Sequence, residues 1–223
     1  MTFYFGDLLP YVPELLQALW VSVYVTLIAM AVGSVLAVLL YLAKASRFAV
    51  LRGVANVYIE IFRNTPLLAQ LYIVYFGLPD IGINLNPVWS AIIALTLNNA
   101  AYTAEIYRAG FESVPGGLLE AGRALGMSPR AIFLNIVLVP ATRNVFPALT
   151  NQLILMFLAS SIASIIGLPD LMTTVLNIDS STGRTIEVLS VGGLMYLLSC
   201  AVMSGISRFS EARIFRWAAK ANV

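Results

Sequence analysis

Catalysis has little to work with in this sequence. It contains no histidine, and its one cysteine, Cys200, stands in an apolar stretch. A nucleophile–base pair or a common zinc site draws on those side chains, and an intramolecular disulfide needs a second cysteine. A GxxxxGK[ST] phosphate loop is absent too, so energy from phosphate must come from another chain. The reading is of a non-enzyme with no metal or cofactor of its own. What does stand out is a set of uncharged polar residues inside otherwise apolar runs: Asn98, Asn99 and Thr103 in one, and Asn151, Gln152, Ser160, Ser161 and Ser164 in another. Such groups either line a path and meet a substrate's ammonium and carboxylate, or tie helices together by hydrogen bonds worth about 0.6 kcal/mol each. Glu105 and Arg108, three residues apart, are placed to pair on one helix.

The elements that would carry these groups are membrane-spanning. The composition is 60% hydrophobic and 11% charged, against roughly 25% charged in soluble domains. Five windows hold no charge: 15–43, 64–79, 81–104, 144–169 and 188–207. A helix crossing a ~30 Å core needs about 20 residues, so four windows suffice and 64–79 must borrow length from a flank. Lys44, Arg47, Arg52 and Arg63 follow the first window; Arg108, Arg123, Arg130 and Arg143 follow the third; Arg208, Arg213, Arg216 and Lys220 follow the fifth. The other connections hold Asp7, Glu14, Asp80, Asp170, Asp179 and Glu187, with Arg184 as their basic residue. By the positive-inside rule the expectation is an all-α membrane protein of five transmembrane helices, N-terminus outside and C-terminus cytoplasmic. Asp7 and Glu14 in place of a basic n-region argue against a cleaved signal. A net charge of +2, with basic residues at membrane ends, suits lipid headgroups and calls for no nucleic acid. Residues 1–223 read as one membrane domain.

Between those windows, Phe48 to Phe62 has helical apolar spacing, and Thr65-Pro66 reads as a cap and first turn of the next helix. Gly33 and Ser34 offer a small surface for close helix packing. The connection over residues 113–130 is the most structured. Pro115 and Gly116-Gly117 end one helix, Leu118 to Leu125 forms a short helix stopping at Gly126, and Ser128-Pro129 starts another. That short helix is expected to lie outside the membrane and present Leu119, Ala121, Leu125 and Met127 for burial by another protein.

This stretch resembles the coupling-helix signature of ABC-importer permeases, Glu-Ala-Ala with a later glycine and then Ile-x-Leu-Pro. Glu120, Ala121, Leu125, Gly126, Met127 and Ser128 match; Gly122 replaces the third-position alanine, and Pro140 falls one residue late. Phe62-Arg63-Asn64-Thr65-Pro66-Leu67-Leu68 and Ala100 to Gly110 resemble the polar amino acid uptake branch, of the histidine, glutamine and glutamate type. The resemblance implies a type I importer permease of the bacterial inner membrane, forming a translocation path with a second permease, identical or homologous. It also implies an extracytoplasmic binding protein that delivers an amino acid, and cytoplasmic ATP-binding subunits that hold ATP and Mg. Glu120 would make a polar contact to the ATPase. One departure bears on specificity: a stretch that often reads Lys-Asp-Thr-Ser is Leu158-Ala159-Ser160-Ser161 here. An ion-gradient transporter or channel is the alternative, which would call for intramembrane ionisable groups or an internal repeat.

Overall fold

A computed structural model describes residues 5–215, and every regular element among them is helical. Arg216 and Lys220 of the third basic cluster lie outside the described residues. A 3₁₀ turn over Phe5–Tyr11 leads into α1 (Val12–Lys44), and α2 (Ala49–Asn64) follows. Next come α3 (Leu67–Tyr72), α4 (Pro87–Glu112), α5 (Gly116–Ala124) and α6 (Pro129–Ile132). The last three are α7 (Leu138–Ala159), α8 (Leu171–Thr182) and α9 (Thr185–Ile214).

Three continuous helical stretches are long and apolar enough to cross a membrane: Phe5–Lys44, Pro129–Ile166 and Thr185–Ile214. The two remaining windows behave differently for identifiable reasons. α4 has 26 residues, about 39 Å at 1.5 Å per residue, but its middle carries Thr96, Asn98, Asn99 and Thr103. It can afford them because α1, α2, α3 and α7 pack around it, so its polar side chains meet protein instead of lipid. The 64–79 window is a broken helix. Pro66 cannot donate to α2, so α2 ends at Asn64 and is followed by Thr65, whose hydroxyl turns back to the Ile61 carbonyl at 2.8 Å. Thr65 is therefore the C-cap of α2, and Pro66, in extended conformation, precedes α3; the expected N-cap bond at Thr65 does not form. The Leu67–Ile81 stretch is apolar but short.

Small residues set the central crossing. Ala29, Gly33 and Ala37 are buried on one face of α1, and a Cβ added at Gly33 would stand 2.6 Å from Asn99 Nδ2 and 3.0 Å from the Thr96 carbonyl. The backbones of α1 and α4 approach as closely as they do because nothing intervenes. The main core combines Val25 and Ala29 of α1 with Leu71, Ala91, Leu95, Met156 and Leu168. A second cluster, Leu8, Leu15, Leu171, Val175, Ile178 and Val188, closes the end where α8 turns into α9. Asp170 caps α8 by accepting from the Thr173 amide at 2.9 Å, and Ser22 of α1 accepts from the Leu171 amide at 3.1 Å.

Candidate functional site: an outward helix and a closed polar crossing

α5 is held by its ends. At its start, Ser113 donates to the Gly110 carbonyl at 2.7 Å and accepts from Asn144 Nδ2 of α7 at 2.7 Å. At its finish the Gly126 amide bonds the Arg123 carbonyl (3.0 Å) and the Met127 amide bonds the Gly122 carbonyl (3.1 Å). This pair of bonds is a Schellman motif. It requires a left-handed residue, and Gly126 supplies it with φ 73°. Ser128 then caps α6 by accepting from the Ala131 amide at 3.3 Å, with Pro129 in the first turn.

The packing of α5 accounts for both departures from the coupling-helix pattern. Gly122 is buried against α6 and the turn after it: a Cβ there would stand 2.7 Å from Ile136 Cδ1 and 3.1 Å from Ile132 Cγ1, so glycine lets α5 sit lower than alanine would. Residues Phe133–Val137 form a π turn, in which the Leu138 amide reaches back to the Phe133 carbonyl. A π turn holds one more residue than an α turn, and the proline that follows it, Pro140, is the one displaced by one residue. The helix absorbs the extra residue and continues.

The outer face of α5 has no partner among the described residues. Leu118 is 47% exposed and Leu125 81% exposed, with Ala121 exposed between them. Spaced i, i+3, i+7, the three form one apolar stripe. Glu120, Gly126 and Ser128 are exposed as well, whereas Leu119 and Met127 are half-buried. The sequence reading missed Leu118, and the signal was its spacing from Ala121 and Leu125. Tyr41 of α1 stacks on Phe111 of α4 at 5.2 Å, and Phe111 stacks on Phe133 at 6.1 Å, so α1 and the segments on either side of α5 are joined through rings.

Near that base, Glu105 gathers three cations. Lys44 Nζ lies 2.6 Å away, Arg108 2.8 Å and Arg63 3.8 Å. The pairing with Arg108 follows from spacing; the reach to α1 and α2 does not. Lys44 Nζ and Arg108 Nε both donate to the Glu105 carboxylate, at 2.6 and 2.8 Å. This group lies beyond the apolar window that ends at Ala104.

The polar residues expected along a path fall into separate places. Asn99, Thr103 and Gln152 meet at the crossing of α1, α4 and α7. Asn99 Oδ1 accepts from Thr103 (3.1 Å) and from Gln152 Nε2 (3.2 Å), and Asn99 Nδ2 donates to the Met30 carbonyl at 3.5 Å. Asn99 and Thr103 are fully buried and Gln152 nearly so. Asn98 belongs to a second knot, donating to the Phe62 carbonyl (3.2 Å) and Gln70 Oε1 (3.0 Å). Gln70, which sequence reasoning did not single out, in turn donates to Thr65 Oγ1 at 2.8 Å and bridges the break at Pro66. Ser160 and Ser161 bond back to the Phe157 and Leu158 carbonyls, each at 2.7 Å. Asn151 is exposed and opens onto a groove between α7 and α9. Among the described residues no group of three or more Cys, His, Asp or Glu is placed to hold a metal.

The site is thus a helix anchored at both ends and seated on Ile132 and Ile136, with an apolar stripe facing away from the bundle. Comparison with known proteins identifies the family. A family profile described as "Binding-protein-dependent transport system inner membrane component" matches residues 29–216. The arginine transport system permease protein ArtQ of Bacillus subtilis is 34% identical over 211 residues, covering 94% of this chain and 96% of that one. The octopine transport system permease protein OccM of Rhizobium radiobacter is 39% identical over 210 residues, covering 90% and 82%. A subunit of a solved amino acid ABC transporter superposes with a TM-score of 0.90 at 34% identity, covering 96% of this chain and 100% of that one. The methionine ABC transporter MetNI matches in fold, with a TM-score of 0.72 at 23% identity, covering 93% and 97%. The chain belongs to the binding-protein-dependent transport system inner membrane component family, and its fold is that of a type I ABC-importer permease.

Proposed function

We propose that this permease carries amino acids across the bacterial inner membrane as one half of a paired translocation path, and that α5 couples the path to a cytoplasmic ATPase. The observation that carries the reading is α5 itself: anchored at both ends, packed on Gly122, and leaving Leu118, Ala121 and Leu125 exposed among the described residues. The amino acid substrate is supported by ArtQ, OccM and the solved amino acid transporter. In the orientation proposed from charge, five spans run through α1, α2 with Leu67–Ile81, α4, α6–α7 and α9, and α5 faces the cytoplasm with the basic residues.

On this reading the chain performs no chemistry. ATP and Mg belong to the ATPase subunits, an extracytoplasmic binding protein delivers the substrate, and a second permease, identical or homologous, completes the path. Closing of the ATPase pair moves α5 as a lever. Its rotation reaches α7 through Asn144–Ser113 and the π turn, and reaches α1 through Phe111 and Tyr41. Coupling is then the bias that ATP places on two arrangements of the bundle. Glu120 lies beside the apolar stripe and supplies a polar contact. The Asn99–Thr103–Gln152 crossing serves packing, Asn98 is satisfied by Phe62 and Gln70 on neighbouring elements, the two serines are satisfied within their own helical stretch, and Asn151 opens to a groove.

The test is uptake into proteoliposomes carrying the permease, its ATPase and its binding protein. Amino acid accumulation should require ATP and fall on Glu120→Ala or on insertion of one residue within Leu118 to Gly126, with the protein still inserted. Full ATP-driven uptake by the insertion variant would remove the coupling assignment.

A further inference from the structure

Two grooves separate α7 from α9, one on each side of the Thr150–Ser207 hydrogen bond. The larger, about 640 Å³, is lined almost wholly by apolar side chains such as Leu27, Leu153 and Val202, as a lipid-facing or helix-packing surface would be. The smaller, about 240 Å³, is of another kind. Pro147, Asn151 and Ile154 of α7 face Ser204, Arg208 and Glu211 of α9 across it. A volume below the ~300–1,000 Å³ of drug-sized sites suits a small metabolite.

The charges in this groove depart from the pattern set elsewhere in the chain. Arg208 and Glu211 are three residues apart, as are Glu105 and Arg108, yet the α4 pair bonds at 2.8 Å and neither member of the α9 pair has an ion-pair partner among the described residues. Both open onto one concavity, with an amide that both donates and accepts on the opposite wall. We propose that the groove is a site for the headgroup of an α-amino acid: the Arg208 fork takes the carboxylate, Glu211 takes the ammonium, and Asn151 and Ser204 complete the hydrogen bonds. The site reads the zwitterion common to all α-amino acids and leaves the side chain to the apolar wall at Pro147 and Ile154. Its place is toward the C-terminal end of α9, on the side of Arg208 and Arg213, so it is a station late on the path. This inference rests on the amino acid reading proposed above and deepens it.

The experiment is binding of radiolabelled L-glutamine and L-arginine to the assembled transporter in lipid nanodiscs without ATP. Arg208→Gln and Glu211→Gln should each weaken binding about tenfold to a hundredfold, the loss of one charge-assisted contact. Arg208→Lys, which keeps the charge without the fork, should fall in between. Glutaramic acid, which lacks the ammonium, and 4-aminobutanamide, which lacks the carboxylate, should both compete poorly with L-glutamine. Binding unchanged in both charge variants, or absent from the wild-type complex for both ligands, overturns the site. So does full recovery of uptake in the double variant Arg208→Glu/Glu211→Arg, which would mark an ion pair between two permease copies. An α5 insertion that abolishes ATP-driven uptake should leave this binding intact, so loss of the coupling assignment and loss of the site are separate results.

Discussion

α5 and the Asn99 crossing are the two most distinctive regions of the molecule, and they place side chains in opposite ways. At the crossing, amides and a hydroxyl lie deep among apolar helices with their bonds made inside the chain. On α5, apolar side chains lie at the surface with no neighbour among the described residues to cover them. A polar group inside a bundle is stable when satisfied, and the Asn99 cluster is consistent with a fixed pivot. An exposed leucine stripe on a helix braced from behind is stable when another chain covers it. The inversion of the usual pattern, more than any single residue type, separates the part that holds the bundle from the part proposed to engage a partner.

The comparison can be broken from either side. The largest effect is expected at Gly122→Leu: the added side chain has no room against Ile132 and Ile136, α5 is pushed off its seat, and ATP-driven uptake should drop to background while membrane insertion, read by accessibility labelling, is kept. Gly33→Val attacks the crossing instead. Its Cβ would press on Asn99 and the Thr96 carbonyl, and overpacking of this kind costs about 1–3 kcal/mol, seen as earlier thermal unfolding in detergent. Glu105→Gln should remove the attraction for Lys44, Arg63 and Arg108. Thermal unfolding of Glu105→Gln in detergent should therefore come earlier than that of the wild type, since three cations lose their shared carboxylate. Gln152→Ala is the mildest change, removing one interhelical bond worth about 0.6 kcal/mol. A large loss of uptake with unchanged stability in that variant would move Gln152 from packing to the path.

Much of this arrangement was legible in the chain, and the gaps have physical causes. Pro66 and Pro129 announce their helix boundaries because proline fixes φ and lacks an amide hydrogen, Ser128 because its hydroxyl caps the next helix, and Gly126 because it freely adopts the left-handed φ of 73°. Glu105–Arg108 follows from helical spacing. Lys44 reaches the same carboxylate from 61 residues away, and no local rule foretells which helix ends converge. Gln70 was passed over for the same reason, since its partners lie on α2 and α4. Of the four residues expected to face outward from this stretch, Ala121 and Leu125 are exposed while Leu119 and Met127 are half-buried; Gly122 seated on Ile132 and Ile136 leaves Leu118 exposed on the same side as Ala121 and Leu125. The π turn before Pro140 is a tertiary answer to one extra residue, visible in sequence as a late proline.

Uptake by the double variant Leu118→Asp/Leu125→Asp, in proteoliposomes with matched amounts of inserted permease, tests the role of α5 most directly. Both side chains are exposed in the isolated chain, so the bundle should fold as before. Loss of ATP-driven amino acid accumulation, with the ATPase no longer held by the permease, is the predicted result. Accumulation at the wild-type rate would contradict the account.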